Sequence, residues 1–289
     1  MERIAKIVYE RNKERELLTV VDVRKIYEII IEKHDCKSIN DVIFTRTELA
    51  KVASYYWQPY YKNGNILICM EKVLEYLEDH YTSAMNVKGC FFEGSKIDFY
   101  NWLYLGVIFH EFSHAMDYDR INKGRHDVCT EIADLSFDLV CNNKLYSNLY
   151  DYFPTEVRAY NQGNLDALKV YSMLPKEFVS DNDMAIYASN CLSKMLQFYT
   201  PIIHREQVES PIEHFVAGIG EISPDNNGVI NILRDLISKT DDFSLYKRLM
   251  WGLPVTYSEL CELHMMASAL YSGDYFPFVK RLQKKKKTI

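Results

Sequence analysis

The sequence predicts an α+β fold, mainly α with a small β-sheet, and three observations carry that expectation. Apolar residues recur at helical spacing in long stretches, as in VVDVRKIYEIIIEKH over 20–34. One short β-branched run, NILICM over 65–70, follows an Asn63-Gly64 turn signal and reads as a strand. Hydrophobic residues make up 48% and charged residues 26% of the 289, a balance that buries a sizeable core and excludes a disordered chain.

Each element follows from local signals. FTRTELAKVASYYW opens with Thr45 and Glu48 in capping-box register, which predicts a helix start. EKVLEYLEDHY over 71–81 is helical by period. After a loop carrying Gly89 and Gly94, IDFYNWLYLGVIFHEFSHAMDY is predicted as one helix with Asp98 as its N-cap. Asn122-Lys123-Gly124 ends that segment, and DVCTEIADLSFDLVC over 127–141 forms the next. Pro154 suits the first turn of a helix through TEVRAYNQGNLDALKVY. From about 175 further helices follow, with loop-like breaks at SPIEH (210–214) and SPDNNG (223–228). The organisation expected is a core over 1–168 with N-terminal helices, then a helical C-terminal subdomain over 169–289.

Composition excludes several classes of function. A net charge of −6 gives no whole-chain attraction for nucleic acid. The N-terminus has charges every few residues and no apolar signal region. The longest apolar run, Trp102 to Phe109, is far short of the roughly 20 residues that span a bilayer. Seven cysteines, odd in number and without a CxxC pair, read as reduced thiols. The location expected is therefore a reducing cytoplasm, or a secretion route that needs no signal peptide. The Lys-rich end, KRLQKKKKTI, reads as a solvated tail, with a nucleic-acid, membrane or targeting contact as the alternative.

The chemistry concentrates in FHEFSHAMDYD, from Phe109 to Asp119. His110 and His114 at i and i+4 share one helix face and can both reach a tetrahedral metal. Glu111 then points to the open coordination position, where it can take a proton from a zinc-activated water and deliver it to a leaving amine. Chance yields such an H-E-x-x-H in roughly one chain in a hundred of this composition. Apolar flanks, Val107-Ile108-Phe109 before it and Ala115-Met116 after it, fit a buried metal helix. NILICM lies upstream as an edge-like strand, where a peptidase would pair an extended substrate.

These residues resemble the HExxH zinc metallopeptidases, the zincins. The resemblance implies a zincin-like metallopeptidase core plus a helical C-terminal part, a zinc cofactor, and a protein or peptide substrate. Metzincins continue H-x-x-G-x-x-H, but Asp117 and Arg120 hold those places here. The gluzincin arrangement remains, with a Glu on a later helix as third ligand. Glu156, 42 residues after His114, fits that place best; Glu131, 17 residues after it, is the rival. Ala159, one turn beyond Glu156, leaves room for the metal helix.

HEFSHAMDYD also resembles the metal helix of gluzincins of the anthrax lethal factor type. That resemblance implies a catalytic Tyr shortly before the ligand Glu, which assigns the role to Tyr150 or Tyr152. The acidic residue that follows the Glu in that family is Tyr160 here. Asp117 either accepts the second ring N–H of His114 or is a surface carboxylate. Arg158 is either a substrate-carboxylate binder or part of a solvated helix face. His126, His204, His214 and His264 read as ordinary core or surface histidines. A different class of function, a non-catalytic zincin-like regulator contacting nucleic acid, would use TRTELAKVASYYW as a helix-turn-helix.

Overall fold

Thr19 starts the first long helix by a local exchange. Its hydroxyl accepts the N–H of Asp22, and the Asp22 carboxylate accepts the N–H of Thr19. This launches α2 (Val20–His34), preceded by α1 (Glu2–Glu14). The computed structural model describes residues 1–46, 51–86, 92–142, 144–197, 207–208, 210–225, 227–239 and 244–271. Asn12 of α1 and Asn101 meet in the interior: Asn101 donates to Asn12 at 2.8 Å and accepts the N–H of Leu18 at 2.8 Å. Buried amides paired in this way tie the N-terminal helices to the molecule's centre.

Three strands follow, β1 (Ile39–Thr45), β2 (Ala53–Gln58) and β3 (Asn63–Cys69), in the order β1-β3-β2. β3 lies centrally, parallel to β1 and antiparallel to β2. Two expectations change here. NILICM belongs to the central strand, so the edge strands are β1 and β2. Ala53–Gln58 is not helical: its aromatic residues take an extended form because they pair residue for residue with β3. The helix-turn-helix reading of this segment falls with it, and Glu48 lies outside the described residues.

Next come α3 (Met70–Met85), α4 (Lys96–Asn122), α5 (Val128–Asn142), a 3-10 helix (Lys144–Tyr152) and α6 (Pro154–Tyr171). The N-cap of α4 lies three residues earlier than expected. Ser95 is its cap and Asp98 is the reciprocal partner in a capping box. Buried on most sides, α4 packs against β2, β3, α3 and α6. Tyr27 of α2 donates to the Ile108 carbonyl at 3.1 Å, fixing α4 just before the motif.

The chain closes with α7 (Asp181–Gln197), β4 (Gln207–Val208), α8 (Pro211–Ile222), α9 (Asn227–Ser238), α10 (Leu245–Met250), β5 (Val255–Thr256) and α11 (Tyr257–Tyr271). SPIEH is no break: Ser210 caps α8 and Glu213 completes the box. One cluster of buried side chains runs from Val8 through Ile68, Ile108 and Leu168 to Tyr187 and Leu263. Position 168 lies within α6, and this cluster extends across it. The architecture is mainly helical with a small mixed sheet, as the sequence predicts. Among the described residues no helix is long and apolar enough to cross a membrane. Cys36, Cys69, Cys129, Cys191 and Cys261 form no disulfide, and the Lys-rich end lies outside the described residues.

α4 and α6 approach closely where glycines meet. A Cβ on Gly163 would stand 2.7 Å from the Gly106 carbonyl and 2.9 Å from the His110 nitrogen. Glycine inside a helix ordinarily costs about 1 kcal/mol relative to alanine, so Gly→Ala should stabilise. Here the clash reverses the sign, and Gly163→Ala is expected to destabilise by about 1–3 kcal/mol. A thermal melt reads the outcome; a raised Tm would mean that the two helices have room to part.

Candidate metal centre

α4 places His110 and His114 one turn apart with both Nε2 atoms facing inward, 3.1 Å from each other. Glu156 enters from the first turn of α6, where Pro154 starts the helix after the extended Phe153. Its Oε2 lies 3.4 Å from His110 Nε2, and its Oε1 lies 3.4 Å from His114 Nε2. One ligand atom from each of the three residues falls within a 4.8 Å span. Tetrahedral zinc with bonds of about 2.0–2.1 Å has ligand–ligand edges of about 3.3–3.4 Å, close to all three separations. Glu156 is only 6% exposed, and its Oε2 is buried with no hydrogen-bond partner among the described residues. Acceptor atoms converging in a buried space with so few donors suit a cation. The three residues can hold a metal ion.

Burial alone raises the Glu156 carboxyl, but the imidazoles of His114 and His110 overcome it and hold the group well below the usual carboxylate range. Glu111 has the opposite balance. Burial pushes it up to about 7, His110 opposes that shift and Glu156 adds to it. Its Oε1 stands 4.0 Å from His110 Nε2, beside the cluster rather than in it. The backbone N–H of Tyr55, on edge strand β2, donates to the Glu111 carboxylate. The sheet edge is therefore tied to the candidate base.

Tyr150 lies beside the cluster and its hydroxyl donates to Glu156; burial and that carboxylate raise its pKa. Tyr152 does not join it. That residue is 38% exposed, with its ring centroid 5.9 Å from His214. Glu131 is exposed on α5 and contributes nothing to the cluster.

Arg158 and Asp117 resolve differently from either reading of each. Both are buried, and they pair with one another: Arg158 Nε donates to Asp117 Oδ2 at 3.0 Å, and Nη2 donates to the same oxygen. Nη2 also donates to the carbonyl of Ser113, the residue before His114. Trp251 covers the guanidinium at 5.3 Å. Arg158 thus binds α6 to α4 behind the candidate ligands, with its side chain buried.

A cleft of about 240 Å³ opens over the cluster, lined by Lys51, Ala53, Tyr76, Glu111, Tyr150 and Tyr160 among others. Lys51 holds its ammonium 3.3 Å from the centre of the Tyr150 ring, a cation–π contact. Tyr160 stacks edge-on against His110, with centroids 4.4 Å apart. Sequence reasoning missed Lys51 because it sits inside a segment read as helix. It noticed Tyr160 only as a departure from a pattern. No protein-family model, curated protein or solved structure matches the chain.

Proposed function

We propose that the chain is a zinc-dependent peptidase of the gluzincin arrangement, hydrolysing a peptide bond in a protein or peptide substrate. One observation carries the reading: His110, His114 and Glu156 converge within 4.8 Å with Glu111 beside them. A zinc ion held there would supply Lewis-acid chemistry, polarising a carbonyl and making a water more acidic. Glu111 takes the proton of the attacking water and hands it to the leaving amine. Tyr150 donates its hydroxyl to the oxyanion that develops on the attacked carbonyl. β2, at the outer edge of the sheet, supports pairing with an extended polypeptide alongside the cleft. Glu111 favours catalysis over a purely structural metal, because a closed structural site has no use for a carboxylate beside it.

Elemental analysis of the purified protein tests the reading. About one zinc per chain is expected in wild type and in Glu131→Ala, with loss in Glu156→Ala. Absence of zinc from the wild type after reconstitution would overturn the proposal.

A further inference from the structure

A second cavity, of about 360 Å³, adjoins the cleft. Tyr76, Tyr160 and Asn164 line both, so the cavity opens from the cleft past the ring that stacks on His110. Its floor is apolar, with Phe99, Trp102 and Ile186. Its polar groups are unusual for such a setting. Lys194 of α7 is half-buried, and among the described residues it makes no ion pair or hydrogen bond. The side-chain amides of Asn164 and Asn190 likewise find no partner among the described residues. His80 donates its Nδ1–H to the Tyr76 carbonyl at 2.9 Å, which holds its ring in the wall.

A half-buried ammonium ordinarily has a counter-ion, because leaving water without one is costly. Burial indeed pushes the Lys194 amine below the usual lysine range, with Asp151 acting in the other direction. Asp79, at the exposed rim of the same cavity, does not pair with it. An ammonium and two amides together offer several donors around an apolar floor. A carboxylate on a short aliphatic stem is acceptor-only and complements that set. We infer that this cavity is a specificity pocket in which Lys194 receives a carboxylate of the substrate. The inference rests on the peptidase reading for its substrate, but not for its binding chemistry. The carboxylate comes either from an acidic side chain next to the scissile bond or from the substrate's C-terminus.

Zinc-loaded protein is incubated with a peptide library containing matched Glu, Gln and Lys members, each with a free and an amidated C-terminus, and cleavage is read by mass spectrometry. Faster cleavage of Glu members assigns the side chain; faster cleavage of free-acid members assigns the terminus. In Lys194→Met the favoured ratio is expected to fall about 10- to 100-fold, the weight of a hydrogen bond to a charged group. Lys194→Glu should shift preference towards basic members. A wild type indifferent to both carboxylates, or a ratio unchanged in Lys194→Met, overturns the pocket. Failure of the peptidase reading is separable. N-acetylglutamate α-amide and free N-acetylglycine are titrated against Glu111→Gln, following tryptophan fluorescence, since Trp102 lines the cavity. Saturable binding that Lys194→Met removes upholds the pocket even where no peptide is cut; no binding of either probe and no cleavage overturns it.

Discussion

Glu111→Gln is expected to keep its metal and lose its turnover. The amide is nearly isosteric with the carboxylate and retains an oxygen to accept the Tyr55 N–H, so the local packing has no reason to change. Glu111 is not one of the three residues whose atoms converge, so elemental analysis should still find about one zinc per chain. An amide cannot accept the proton of the attacking water. Loss of a positioned general base costs about 10²- to 10⁴-fold, and hydrolysis of a peptide library should fall by that factor. Retained zinc with undiminished turnover would place the base on another residue. Loss of zinc together with turnover would leave the two roles unseparated and move Glu111 into the metal's own grip.

The second large effect is structural. Arg158→Met leaves Asp117 buried and charged without its partner, a change that costs about 3–5 kcal/mol. Denaturant unfolding monitored by circular dichroism measures it. The double variant Asp117→Leu with Arg158→Met should recover much of the loss, since a packed apolar pair replaces the ions without an orphaned charge. Zinc content separates the pair's two effects. Arg158 also holds the Ser113 carbonyl between the two histidines, so the double variant should bind metal less tightly even where stability returns. A double variant with wild-type zinc retention would show that the ligands need no support from Arg158.

How much of this was legible in the sequence depends on the range of each interaction. His110, Glu111 and His114 are fixed by helical spacing alone, a local property, and the structure brings them together as that spacing requires. Glu156 is a different case. Nothing between residues 114 and 156 announces that two helices cross there, and the family resemblance supplied the choice over Glu131. Tyr150 and Tyr152 were equal in sequence; the geometry of the 3-10 helix separates them, one hydrogen-bonded to Glu156 and the other against His214. β2 was illegible because its conformation is decided by pairing with β3, while its own residues suit either state. Arg158 deceived for a related reason: an arginine reads as surface until its buried carboxylate is known, and Asp117 lies 41 positions away.

The three candidate ligands belong to two helices that cross at Gly106 and Gly163, and only the first two arrive together on the chain. During synthesis, a nascent polypeptide ending before Glu156 carries a bidentate pair of imidazoles and nothing to complete the cage. Residues near 163 must also have emerged before the crossing can close. Capture of the ion is thus scheduled late, after the sheet and the long helix are already made. A chain still short of Glu156 therefore lacks the third candidate ligand, and no metal-dependent chemistry of this cluster can precede the completion of α6.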